Sequence, residues 1–135
     1  MPQYNTLEEA RAFFRDDRFA AFNGMQIDAV GSDSAECSFL IEPRHLNAKD
    51  QVMGGAIFTL ADFAAAVAAN RNVLSVTQQV SISFLNGARG TRLIARASCR
   101  RDSRTGGVYV VDVTDDLGRD VATALVTTVK RASNL

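Results

Sequence analysis

Hydrophobic and polar positions along this chain follow two different periods, separated by one stretch that follows neither. Thr6 to Phe14 (TLEEARAFF) places apolar residues at helical spacing behind a threonine suited to capping and two early glutamates, which predicts a helix. A shorter helical turn is expected over Asp17–Phe22, stopped by Asn23-Gly24. Met25–Val30 and Ala35–Ile41 then read as strands, the second with Ala35, Cys37, Phe39 and Ile41 on one face, and Gly31–Ser34 between them is turn material. Pro43–Gln51 is a polar loop. Gly54 to Ala69, GGAIFTLADFAAAVAA, breaks the alternation: its sixteen residues hold only two polar side chains, Thr59 and Asp62. A segment this apolar all round predicts a buried helix, too short to cross a bilayer, ending near Asn70–Asn72.

Period two returns after the helix. Val73–Leu85 alternates late (Val80, Ile82, Phe84), and Thr91–Arg101 alternates as Leu93, Ala95, Ala97 and Cys99. Gly107–Asp115 is rich in valine, and Arg119–Lys130 carries Val121, Thr123, Leu125, Thr127 and Val129. The separators Asn86–Gly90, Asp102–Gly106 and Asp116–Gly118 have hairpin length, with a glycine in each. Two strands, a long helix and four meandering strands predict an α+β domain in which an antiparallel sheet wraps around one central helix. A single domain is expected over residues 1–135, with its N-terminal helical segment at about 6–22.

Composition narrows the partners. The 15 basic and 15 acidic residues cancel, leaving no basic surplus to suggest nucleic acid or an anionic membrane surface. At 47% hydrophobic and 22% charged, the chain has the composition of an ordinary globular protein. The first seventeen residues contain no continuous apolar run of signal-peptide type, so a cytoplasmic location is expected. Cys37 and Cys99 are too few for a disulfide framework or a zinc site, and no metal or other cofactor is expected.

The apolar helix holds the chemistry. Gly54 and Gly55 leave the first N–H groups of the helix open to a ligand, at the end where the dipole favours negative charge. Burying Asp62 unpaired costs several kcal/mol, which marks it as an acid/base or nucleophile candidate. The two features lie eight residues apart, about 12 Å along the axis at roughly 1.5 Å per residue, too far for one small reacting group. Two copies of the helix packed antiparallel bring Asp62 of one beside Gly54 of the other, so a homodimer with active sites straddling the interface is expected.

The order of elements, with HLNAKDQVMGGAIFTLADFAAAVAAN at its centre, resembles the hotdog-fold thioesterases. The likeness is closer to the phenylacetate-degradation (PaaI-like) branch, which hydrolyses acyl-coenzyme A thioesters. VSISFLNGA is similar to the family's strand after the helix, and SRTGGVYVVDVTDDLGRDVATALVTT to its last two strands. The resemblance implies a hotdog fold and an acyl-CoA substrate, with coenzyme A as part of that substrate and no separate cofactor. Whether the expected dimers pair further into a tetramer is left open by the sequence. Carried over by position, Asp62 is the catalytic carboxylate and Gly54 the residue whose N–H polarises the carbonyl, with Gly55 permitting close approach. Asn47 corresponds to a polar side chain near the carbonyl or the attacking water, and Thr77 to a hydroxyl that orients that water. Two positions depart from the family pattern: the histidine before the glycine pair is Met53, which carries no donor, and a loop glycine upstream is Asp50.

The acyl pocket is expected to be apolar, lined by Phe58 and Ala65 of the helix. The run RRDSRTGG at Arg100–Gly107 is a candidate for the phosphates of coenzyme A, through Arg104, Thr105 and Gly106. His45, the only histidine, reads as a surface or loop-packing residue, and no serine or cysteine pairs with it in a nucleophile elbow. Two other readings stand beside hydrolysis: a non-catalytic acyl-CoA binding module, and a hotdog dehydratase or hydratase for which His45 is the sole histidine.

Overall fold

The computed structural model describes residues 2–131. Helix α1 (Leu7–Phe13) starts at Thr6, whose hydroxyl accepts from the Glu9 N–H while Glu9 reaches back to the Thr6 N–H, a reciprocal cap. Helix α2 (Arg18–Phe22) is capped by Asp17 and ends at Asn23. Strands β1 (Gln26–Val30) and β2 (Ser34–Leu40) form a hairpin, and the central helix α3 runs over Gly54–Ala69, the span read from its apolar run. Strands β3 (Ser75–Phe84), β4 (Arg92–Asp102), β5 (Gly106–Asp115) and β6 (Asp120–Lys130) follow. Among the described residues no helix is long and apolar enough to cross a membrane.

All six strands join one sheet in the order β1-β2-β4-β5-β6-β3, every pair antiparallel. The sheet wraps α3, which touches every strand, and this is the hotdog arrangement. Inward side chains obey the pleat. Ala35, Cys37 and Phe39 on β2 and Leu93, Ala95 and Ala97 on β4 are buried against the helix. On β6 the inward set is Ala122, Ala124, Val126 and Thr128, so Leu125 faces outward and is exposed. Small residues turn inward there because the helix lies close over the sheet centre, where Leu60, Ala61, Ala64 and Ala65 are fully buried.

Helix α3 is not buried all round. Gly55 and Phe58 are exposed, and Thr59, Asp62 and Ala66 are half-buried, an open stripe at helical spacing. Strand β3 is likewise one-sided: it pairs with β6 alone and stands at the sheet edge, where free backbone groups invite another strand.

The loop before α3 is more ordered than its polar composition suggests. Pro43–His45 forms a 3-10 turn, Leu46 bridges Val52, and Asp50 takes a left-handed φ of 58°. That conformation explains why the family pattern has glycine at this position, since a Cβ strains it by about 1 kcal/mol. Asp50→Gly is therefore expected to stabilise the fold slightly, by about 0.5 kcal/mol at most after the added chain freedom of glycine is subtracted. Asp50→Ala is expected to destabilise it. Thermal melts of the two variants check both signs.

Candidate active site

Asp62 stands in the third turn of α3, on the open stripe, and is not the unpaired buried acid expected from the sequence. It is half-buried, and Thr77 Oγ1 on the facing edge strand donates to its Oδ1 at 2.7 Å. A side chain on the open stripe keeps contact with water, and the hydroxyl supplies the partner that burial would otherwise demand. Asp62 and Thr77 are thus brought together as a pair. The bond fixes one carboxylate oxygen and leaves the other free to face a reactant.

Beside this pair lies a cleft of ≈ 230 Å³ of mixed polarity, lined by Phe58, Thr59, Phe63 and Ala66 of α3 and by Phe19 and Ala20 of the short helix α2 with its cap Asp17, and with Asp62 in its wall. Phe58, expected in the acyl pocket, lines this cleft. Ala65 is not: it is 0% exposed and packs into the core, because the open stripe runs through Phe58, Asp62 and Ala66 at four-residue steps. The sequence reading passed over Phe19 and Phe63. Phe63 lies one position beyond Asp62, and the exposed aromatic residues of α2 were the signal for Phe19.

Gly54 opens α3, with Met53 as its N-cap in extended conformation. Among the described residues the N–H groups of Gly54 and Gly55 take no partner, as expected for the first turn of a helix without a side-chain cap. A Cβ at Gly54 would lie 3.2 Å from the ring tip of Phe84, so the glycine also makes room for that ring. Phe84 and Leu85, both about half exposed, line a second cleft of ≈ 370 Å³ with Val52, Gly54 and Ile57. Within one protomer the helix start and Asp62 are separate places.

Asn47 is turned to its own loop. Its Oδ1 accepts from the N–H groups of Lys49 (2.9 Å) and Gln51 (3.2 Å), which shapes the approach to the helix. His45 is buried, so of its two readings, surface or loop-packing, it is the second that holds. Its Nδ1 accepts from the Glu42 N–H at 3.0 Å, its Nε2 lies 2.9 Å from the Asn23 carbonyl, and its ring packs on Phe39. Those partners hold the ring in one orientation under the loop. The His45 carbonyl also accepts from the Met53 N–H at 2.8 Å, so this loop secures the start of α3 while the Met53 side chain points outward.

The hairpin run sits at the same end of the sheet as Thr77. Thr77, Thr128, Gly107 and Asp102 are successive cross-strand neighbours, which puts the β4–β5 turn two strands from the Asp62 pair. A groove of ≈ 400 Å³ there is lined by Arg101, Ser103, Thr105, Gly106 and Gln78. Arg104 is exposed and outside it; Arg101, from the same basic run, is the cation on the groove. Gly106 is demanded by packing, since a Cβ would lie 2.1 Å from the Thr128 carbonyl oxygen. Neither thiol is poised to attack: burial pushes Cys37 up, and burial followed by the nearby Asp33 charge pushes Cys99 up.

The sequence profile of the family described as the thioesterase superfamily matches residues 51–122, more than half of the chain and both ends of α3. The chain belongs to the thioesterase superfamily. As such a thioesterase, the protein is a thioester hydrolase. It is 29% identical over 117 residues to the acyl-coenzyme A thioesterase PaaI of Escherichia coli, an overlap of 85% of this chain and 84% of that one. In structure it is similar to the E. coli PaaI protein of the phenylacetic acid degradation operon, with a TM-score of 0.88 at 23% identity over 96% of this chain and 99% of that one. A Streptococcus pneumoniae thioesterase solved with coenzyme A matches with a TM-score of 0.83 at 25% identity, covering 93% of this chain and 99% of the other.

Proposed function

We propose that this thioesterase hydrolyses acyl-coenzyme A thioesters in a homodimer, with Asp62 of one protomer acting beside the Gly54 N–H of the other. The observation that carries the reading is the pairing of two contacts along one free edge strand. Near one end of β3, Thr77 holds Asp62; at the other, Phe84 lies over Gly54. If β3 pairs antiparallel with its own copy about a two-fold axis between Val80 and Ser81, Thr77 falls opposite Phe84 of the second chain. That register sets each carboxylate beside the other chain's helix start. It also covers the stripe of Gly55, Phe58 and Asp62 that a lone protomer leaves open.

In such a site the thioester carbonyl oxygen points at the Gly54 N–H, where the helix dipole favours the developing negative charge. The free oxygen of Asp62 takes a proton from water as that water attacks the carbonyl carbon, or attacks the carbon itself. Each route passes through its own tetrahedral oxyanion at that carbon; in the direct route its collapse leaves an anhydride with Asp62, which water then cleaves to the free acid and the restored carboxylate. Collapse breaks the C–S bond, and the departing thiolate takes up a proton to leave as coenzyme A. Thr77 keeps the carboxylate aimed, and the oxygen of Asn47 shapes the loop behind the helix start. The cleft between Phe58 and Phe19 receives the acyl group, and Arg101, with Thr105 and Gly106 shaping the groove, faces the phosphates. The names of the E. coli relative and of the coenzyme A-bound neighbour support this substrate class.

Asp62→Asn keeps the size of the side chain and can still accept from Thr77, yet it removes the base. Thiol release from a panel of acyl-CoA esters is expected to fall by about 10²–10⁴-fold with the melting temperature nearly unchanged. Turnover near the wild-type rate in that variant overturns the assignment. Tight binding without hydrolysis by the wild type favours a binding module instead.

A further inference from the structure

The cleft at Asp62 is built from two elements, and one of them is not part of the sheet-and-helix body. Phe58, Phe63 and Ala66 belong to α3, whereas Phe19 and Asp17 come from α2, a single five-residue turn laid across the open face of α3. Each end of that turn is tied down. Asp17 caps its start by accepting from the Ala20 N–H at 3.4 Å, and at its end Asn23 donates to the Phe19 carbonyl at 2.9 Å while its own carbonyl meets His45 Nε2. Arg44 adds a bond to the Phe22 carbonyl and lies over the Phe22 ring. The turn is therefore a fixed wall, and its aromatic residues diverge: Phe19 lines the cleft, Phe22 leans on Arg44.

We propose that Phe19 determines acyl specificity, closing the far side of the cleft so that it accepts a compact acyl group and turns long chains away. This deepens the function proposed above and rests on Asp62 marking the reacting end. Size carries it. An apolar cavity of about 150 Å³ accommodates a benzene ring, so the ≈ 230 Å³ between Phe19 and Phe58 holds a ring or a short chain, and a longer chain has to run past Phe19. Phe19 is 66% exposed and Phe22 74%, so neither ring supports the core, and trimming either leaves the fold intact.

The test uses S-butyl- and S-decyl-coenzyme A thioethers, which bind without being cleaved, titrated by calorimetry into wild type, Phe19→Ala and Phe22→Ala. Hydrolysis of the butanoyl and decanoyl esters by these proteins and by Asp62→Asn is followed in parallel. In Phe19→Ala the decyl-to-butyl affinity ratio is expected to rise by about tenfold or more, while Phe22→Ala keeps the wild-type ratio. An unchanged ratio in Phe19→Ala, an equal change in Phe22→Ala, or no binding of either thioether by the wild type overturns the assignment of Phe19. A shifted ratio in a protein that cleaves neither ester, or whose Asp62→Asn variant cleaves both at the wild-type rate, upholds Phe19 and overturns the catalytic reading.

Discussion

Two inactive variants, Asp62→Asn and Gly54→Pro, are expected to restore activity when paired in one dimer. Gly54 is the first helical residue and Met53 before it is extended, with φ −62° and ψ 138°. Proline is at home after such a residue and at such a position, so Gly54→Pro removes one N–H with little harm to the helix. The added Cβ meets the tip of Phe84 first, at 3.2 Å. Loss of that donor is expected to slow turnover by about 10²–10³-fold, near 3 kcal/mol of transition-state stabilisation. Co-expressing the two variants with different affinity tags and isolating the hybrid tests where the sites lie. If each site combines Asp62 of one chain with Gly54 of the other, the hybrid has one site with both groups intact and one with neither. It is then expected to run at about half the wild-type rate. If each site were confined to one chain, both sites of the hybrid would be defective, and a hybrid as slow as its parents rules out the shared arrangement.

The parts of this protein legible in the sequence are those governed by periodicity. Helix α3 was legible at its start and to within one to three residues at its end because an apolar run flanked by glycine and asparagine leaves no competing reading, and the strands differ from expectation by a residue or two at their ends. The pairing of Thr77 with Asp62 was not legible as a contact, because it joins positions fifteen apart across a helix and an edge strand. The apolar character of α3 misled on burial. A helix apolar on every side reads as wholly enclosed, whereas here one side is left uncovered in a single chain, with Phe58 and Asp62 at the surface. Phe19 was hidden for a related reason: a five-residue helix has no periodicity to show which way an aromatic ring points. His45 looked like a loop residue because nothing local reveals that the loop folds under Asn23 and Phe39.

Asp115→Asn is expected to produce the largest loss of stability, and its cause is again invisible in a hydropathy pattern. Asp115 is 1% exposed at the end of β5, and its carboxylate accepts four backbone N–H groups: Leu117 and Arg119 on one oxygen, Arg89 and Gly90 on the other, at 2.9–3.0 Å. Asp116 beside it takes the N–H groups of Thr91 and Arg92, and a Cβ at Gly90 would lie 1.9 Å from its Oδ1, so the loop fits closely around both acids. Together they staple the β3–β4 connection, just after Phe84 and Leu85 of the Gly54 cleft. Burial alone would raise the Asp115 carboxyl, but the bonds from Arg89, Arg119, Gly90 and Leu117 outweigh it and hold the pKa at about 2, below the ordinary 3.8. Asparagine offers one oxygen and turns an NH₂ toward two of the donors, stranding them. The expected cost is about 3 kcal/mol, or roughly 10 °C in melting temperature. Because the folded-state pKa is depressed, the charge contributes its stability above pH 3.8 and loses it as pH falls toward 2, an amount of about 2 kcal/mol. Denaturant midpoints measured from pH 6 down to pH 2 are therefore expected to fall less steeply in Asp115→Asn than in the wild type, and parallel slopes would show that these four bonds do not govern the acid limb.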